Sequence, residues 1–221
     1  MSTKLDKLLS IIPDKLYIKL KYFYRFHKFP DLNNPKTYNE KLQWMKLYDR
    51  NPEYIKMCDK YDAKEYVACI IGDKYIIPTI GVWDKFDEIE FDKLPNQFVL
   101  KCNHDSGSTF VCKEKNRMWF DRVLPELQKA LKQNYYLLGR EWPYKNVHRR
   151  IIVEKLLVDS TNAGLRDYKF FCFNGLPRLF KVDYDRQICH KANYYDMKGN
   201  ILPFGELVCP PDFTKTFELP L

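Results

Sequence analysis

The chain has 221 residues, 45% of them apolar and 16% aromatic, enough to bury a substantial core in one large domain or two small ones. Its longest apolar runs, Ile151 to Val153 and the stretch around Phe170–Phe173, are strand-sized and far short of the roughly 20 residues that cross a bilayer. The net charge of +8 suits a nucleic acid, an anionic membrane surface or a phosphorylated substrate without choosing among them.

Residues 3–27 read as an amphipathic helix, with Leu5, Leu8, Leu9 and Ile12 at helical spacing and a break or kink at Pro13. Lys4, Asp6, Lys7, Asp14 and Lys15 interrupt the apolar residues, so no signal-peptide apolar region forms and the expected location is the cytoplasm. The basic, aromatic stretch Leu16–Phe26 suits the inner face of a membrane, with packing on the domain as the plainer alternative. Thr37-x-x-Glu40 is a capping box that opens a helix carrying Leu42, Trp44, Met45 and Leu47. A second helix is expected over 53–71, containing Asp59-Lys60-Tyr61 and ending at Gly72.

The pattern then turns to strands. Phe98–Cys102 is strand-like, residues 103–109 form a polar turn with one glycine, and Phe110–Cys112 returns. Phe120 to Asn134 reads as a helix with Leu124, Leu127 and Leu131 on one face, followed by an aromatic, basic loop to Asn146. Residues 150–157 form a strand, followed by a loop ending near Gly164. Strands at 167–173 and 178–183 are joined by Asn174-Gly175, a strong hairpin signal, and a proline-punctuated tail follows from Pro203. The seven cysteines include no Cys-x-x-Cys and sit mostly in apolar patterns, which points to reduced, buried thiols rather than a zinc site.

Three features carry chemistry. Lys101 ends an apolar strand, where an unpaired charge is costly and a phosphate supplies a partner. Ser106, Gly107 and Ser108 follow it, small residues that let backbone N–H groups approach an anion. Glu154 ends the strand of Ile151, Ile152 and Val153, where its carboxylate suits a ribose and the neighbouring backbone suits adenine. Lys60 lies upstream. Taken singly, each has a plainer account: a surface hairpin lysine, a solvated strand-end carboxylate, a helical surface lysine.

Together they run lysine, lysine with a glycine turn, glutamate. At this point the chain resembles the TupA-like ATP-grasp proteins of bacterial polysaccharide gene clusters. The matching words are NPKTYNEKLQW at 34–44, DKY at 59–61, LP-x-x-FVLKCNH at 94–104, YKFFCFNG at 168–175 and NYYD at 193–196. The resemblance implies an α+β fold with a helical N-terminal region (1–58), a lid subdomain (59–155) and a partial core subdomain (156–221). It implies ATP and Mg2+ as cofactors, with Lys60 and Lys101 contacting phosphate, Ser106, Gly107 and Ser108 closing over it, and Glu154 at the adenine–ribose hinge. Lys169, on the next core strand, is a further candidate facing the nucleotide. The implied chemistry is ATP-dependent carboxylate activation, acting on a carboxylate or glycan-linked substrate, with no nucleic acid involved.

Two departures from the pattern stand out: the loop has a single glycine, and Lys64 stands where arginine is expected. The Asp and Glu that hold magnesium in such enzymes find no counterpart after Asp196, since Glu206 and Glu218 lie in the tail, so the chain is expected to stop short of them and to be unable to turn over. The main rival is a nucleotide-sugar glycosyltransferase using Asp183-Tyr184-Asp185 as a metal–diphosphate motif. That reading needs an early βαβ unit where the sequence looks helical. A nucleic-acid binder is a second rival, permitted by charge and aromatic content but lacking a recognisable binding motif.

Overall fold

The computed structural model describes residues 9–158, 165–184, 189–206, 208–215 and 217, with the side chains of residues 117 and 118 set aside. It divides into two compact units, Met1–Leu156 and Leu157–Leu221. The first combines helices with a four-stranded antiparallel sheet and the second is a three-stranded antiparallel meander, so the α+β expectation holds.

Helix α1 (Asp14–Phe26) begins directly after Pro13, which lacks the N–H a continuing helix needs, and packs through Ile18 and Tyr22. Leu5 and Leu8 lie outside the described residues. Helix α2 (Tyr38–Tyr48) starts on the expected capping box: Glu40 N–H donates to Thr37 Oγ1 at 3.3 Å, and Thr37 N–H donates to Glu40 Oε2 at 3.0 Å.

The single helix expected over 53–71 is two, α3 (Glu53–Cys58) and α4 (Asp62–Ile71). Asp59 causes the break. Its buried carboxylate accepts the N–H of Tyr61 at 2.8 Å and of Asp62 at 3.3 Å, and the intervening Lys60 N–H leaves the helix to reach Asn103 O at 3.1 Å. A short polar side chain that satisfies the next backbone donors competes with helix continuation. Gly72 ends α4 at φ 94°, as expected.

Strands β1 (Thr79–Trp83), β2 (Phe98–Cys102), β3 (Thr109–Cys112) and β4 (Ile151–Lys155) form the first sheet in the order β1-β4-β2-β3. Successive side chains alternate faces. Phe98, Leu100, Cys102, Ile151 and Val153 therefore point to one side, where helix α5 (Arg117–Lys132) covers them with Val123 and Leu127. The opposite face carries Val99, Lys101, Ile152 and Glu154, and the register sets Val99 against Glu154 and Lys101 against Ile152. This second face positions the candidate site. The loop expected after α5 contains a short helix, α6 (Tyr136–Gly139), and a 3-10 turn at Trp142–Lys145.

In the second unit, β5 (Asp167–Phe173) and β6 (Leu176–Tyr184) form the expected hairpin. Asn174 and Gly175 both take positive φ, 52° and 76°, the backbone that a two-residue turn between right-twisted strands requires. Strand β7 (Lys191–Asp196) pairs with β6, and Phe180, Val182, Tyr184 and Tyr195 form the local core with Phe217 packed on it.

Candidate functional site

Lys101 and Glu154 project from adjacent strands on the same face, and α4 brings a third charge to them. Glu154 accepts Lys101 Nζ at 2.5 Å on one oxygen and Lys64 Nζ at 2.6 Å on the other. The carboxylate side chain is 4% exposed, while the lysines are 18% and 17% exposed. Lys64 is further fixed by Ile77 O at 2.7 Å and Thr79 Oγ1 at 2.9 Å. One negative charge thus serves two positive ones, so this trio carries surplus positive charge at a partly dry surface, where its field is strong.

Lys60 sits beside the same strand end. Its ammonium donates to Cys102 O at 2.9 Å and to the carbonyl of Asp105, and lies 3.6 Å from Asp105 Oδ1. Burial pushes its pKa down, and the neighbouring Lys101 charge pushes the same way, against the raising influence of Asp105. The turn after β2 is pinned from within. Ser108 Oγ donates to Asp105 Oδ1 at 2.6 Å and accepts from Cys102 N–H at 3.1 Å. The Ser108 hydroxyl is therefore committed to the loop's own structure, which leaves backbone N–H groups as what the turn can offer an anion. Ser106 and Gly107 form the exposed tip, and Gly107 holds φ at 109°, a backbone that L side chains rarely adopt.

A buried polar network anchors this region to the sheet. Asn103 is fully buried. Its Oδ1 accepts Arg150 N–H at 2.7 Å, and its Nδ2 donates to Asp59 Oδ2 and His148 O at 2.8 and 2.7 Å. Arg150 Nη2 bridges Asp59 and Asp62 at 2.8 and 2.7 Å, and its guanidinium lies over the Tyr61 ring at 4.7 Å. Asp59, Asn103 and Arg150 thus set the position of Lys60 through the backbone on either side of it. An open groove of about 600 Å³, lined by Tyr61, Lys64, Glu65, Cys69, Ile76 and Thr79 among others, adjoins Lys64.

Lys60, Lys101, Ser106, Gly107, Ser108 and Glu154 all lie in the first unit, where Lys101 pairs with Glu154 and Lys60 pairs with the turn at Asp105. Lys64, which the sequence reading marked only as a departure, proves to be a direct partner of Glu154. No local signal marks it, because Lys60 lies outside the helix that carries Lys64 and its partner Glu154 lies far along the chain. Lys169 lies in the second unit and is engaged there by the carboxylates of Asp183 and Asp167.

Asp183 itself is fully buried. Lys181 Nζ and His190 Nε2 contact its Oδ1 at 3.1 and 2.9 Å, and Lys169 contacts its other oxygen. Burial alone raises its pKa, but hydrogen bonds from Lys169, His190 and Lys181 outweigh that and hold it at about 2. A carboxylate already engaged by three donors weighs against magnesium binding at Asp183; Asp185 lies outside the described residues, as does Glu218. Glu206 is paired with Lys181 at 2.8 Å and Tyr194 at 2.6 Å. Among the described residues, no group of three or more His, Cys, Asp and Glu side chains converges on a point that could hold a metal ion.

The face of the sheet that carries Lys101 and Glu154 thus gathers two lysines on one shared carboxylate. The family model described as TupA-like ATPgrasp matches residues 40–214. The chain belongs to that family. Neither the curated proteins nor the solved structures yield a match. Family membership brings ATP and, with it, Mg2+ as the expected ligands. The lysine–glutamate trio and the turn fit the anionic part of a nucleotide, whereas the carboxylates among the described residues do not form a magnesium cage.

Proposed function

We propose that the first unit binds ATP on the face of its sheet that carries Lys101 and Glu154. The observation behind this reading is the shared carboxylate: Glu154 holds Lys64 and Lys101 side by side at 2.6 and 2.5 Å, with Lys101 on the strand that leads into a glycine turn. A triphosphate supplies the charge that this trio lacks. Lys60 and Lys101 stabilise charge on the phosphate oxygens, Lys64 adds a third contact, and the tip at Ser106 and Gly107 offers backbone N–H groups to the same oxygens. Glu154 lies near the ribose and adenine. On this reading residues 59–155 act as the lid, residues 1–58 as a helical N-terminal region and residues 156–221 as part of the core.

The reaction proposed is carboxylate activation. An oxygen of the substrate carboxylate attacks the γ-phosphorus, the bond to the β-phosphate oxygen breaks, and ADP leaves with an acylphosphate formed. An amine or similar nucleophile then displaces phosphate. The setting proposed is the synthesis of a cell-surface polysaccharide, with a carboxylate or glycan-linked substrate. Thermal shift tests the nucleotide assignment: ATP raises the melting temperature of the purified chain and nucleotide sugars do not. A shift with nucleotide sugars and none with ATP would favour the glycosyltransferase reading. Hydroxylamine trapping with Mg2+ tests the ligase step, since an acylphosphate yields a hydroxamate; the expected lack of magnesium ligands predicts little or none from this chain by itself.

A place at an anionic membrane face is part of the same proposal. No helix among the described residues is long and apolar enough to cross a membrane. Helix α1 nevertheless leaves Leu16, Leu20 and Phe23 exposed at 49%, 50% and 43%, a stripe at helical spacing flanked by Lys15, Lys19 and Lys21. Co-sedimentation with phosphatidylglycerol vesicles at low salt is expected, and Leu20→Ser with Phe23→Ser should abolish it. Equal sedimentation of that variant would contradict a role for α1.

A further inference from the structure

The second unit contains a cluster that the nucleotide site does not use. Cys209 Sγ lies 3.1 Å from His190 Nδ1, and the other ring nitrogen, Nε2, lies 2.9 Å from Asp183 Oδ1. A thiol, an imidazole that reaches it, and a carboxylate that orients the imidazole form the set that activates a nucleophilic cysteine.

The hydrogen-bond chemistry fixes where the protons are. Asp183 is ionised and can only accept, so His190 Nε2 carries a proton and donates it. In a neutral ring Nδ1 is then bare, and the Cys209 S–H is the donor between them. In the charged ring Nδ1–H donates to a thiolate instead. In both states one proton lies on the line between Sγ and Nδ1, ready to transfer. Asp183 cannot turn away from its task, because Lys169 and Lys181 hold both its oxygens, and Lys181 is fixed in turn by Glu206, itself bound by Tyr194.

The other described cysteines lack this arrangement. Cys102 and Cys112 face backbone carbonyls, Leu127 O at 4.0 Å and Asn96 O at 3.8 Å, Cys58 pairs with the Tyr144 side chain, and Cys69, Cys172 and Cys189 are exposed. Cys209 is 7% exposed, the His190 side chain is 31% exposed and the adjoining Val208 is 80% exposed, so the pair lies just beneath the surface.

We propose that Cys209 is a base-activated nucleophilic thiol, a covalent modification site for small electrophiles of the hydroperoxide class. His190 Nδ1 takes the thiol proton. The sulfur bonds to one peroxide oxygen as the O–O bond breaks, and the leaving oxygen takes the proton from His190. Sulfur is oxidised by two electrons to a sulfenic acid, and the peroxide is reduced to water or an alcohol. The thiolate is the reacting form, so a base positioned on the thiol raises the rate at this one cysteine.

The test treats the purified chain with hydrogen peroxide at pH 7, traps sulfenic acid with a dimedone probe, and reads the rate at each cysteine by peptide mass spectrometry. Cys209 is expected to react at least tenfold faster than the exposed Cys69 and Cys172 in the same molecules. His190→Gln should remove that advantage while leaving the Cys69 and Cys172 rates unchanged, with circular dichroism confirming the fold. Should His190→Gln fail to fold, the comparison within the unaltered chain still decides. A Cys209 rate no higher than those of Cys69 and Cys172, or an undiminished rate in folded His190→Gln, overturns the proposal.

Discussion

Glu154 divides its carboxylate between Lys64 and Lys101, one oxygen to each, at 2.6 and 2.5 Å. Removing the shared charge leaves two half-buried ammonium groups facing each other. Glu154→Gln should cost about 3 kcal/mol of stability, at the lower end for a broken buried pair because the lysines retain some water. The Lys93–Glu90 pair is a contrast, since both side chains are mostly exposed; Glu90→Ala should change stability by less than about 0.5 kcal/mol. Urea denaturation of the two variants checks the difference, and equal effects would contradict a buried, shared carboxylate.

Asp59 accepts the N–H groups of Tyr61 and Asp62 at the start of α4, pairs with Arg150 and accepts from Asn103. Asp59→Ala removes all three at once and leaves the buried Asn103 amide short of a partner. The expected loss is about 3 kcal/mol or more, read as a lower melting temperature. Asp62→Ala, which removes only the outer partner of Arg150, should cost much less. If the two variants melt alike, the network does not depend on Asp59.

Both relationships are long-range, and that divides what is legible in the sequence from what is not. Thr37-x-x-Glu40, Asn174-Gly175 and the alternation of Phe98, Leu100 and Cys102 against Val99 and Lys101 are local signals, and each produced its element. The break at Asp59 was not legible, because it depends on a carbonyl at Asn103 and a guanidinium at Arg150, far away in the chain. Lys64 joined the site for the same reason: its partner, Glu154, lies 90 residues later. The pinning of Ser108 by Asp105 is local, but a serine in a polar turn does not reveal whether its hydroxyl faces a ligand or its own loop. The Cys209–His190 contact crosses a segment without a spacing signature.

Acid should weaken the second unit. Asp183 has its pKa lowered to about 2 in the folded state, against an ordinary value of 3.8. A lowered carboxylate pKa stabilises the fold above the unfolded value, and that contribution is lost as pH falls from about 4 toward 2. The expected loss is about 2 kcal/mol. Asp183→Asn should flatten the dependence in that window, measured by denaturation at pH 5, 4, 3 and 2. An unchanged slope in the variant would remove Asp183 from the account.

Adenine selectivity follows from placing the base beside Glu154 at the end of β4. ATP should stabilise the chain more than GTP in thermal denaturation. Equal shifts with the two nucleotides would contradict a base-reading position there.

The central claim is that Lys101 meets the phosphates of ATP, and calorimetric titration of ATP into the folded Lys101→Ala variant tests it most directly. A charge-assisted hydrogen bond contributes about 1.5–3 kcal/mol, so the variant should bind ATP about tenfold to a hundredfold more weakly than the unaltered chain, while Lys93→Ala, an exposed control, should bind as before. Undiminished ATP affinity in Lys101→Ala would contradict the placement of the nucleotide on this face of the sheet.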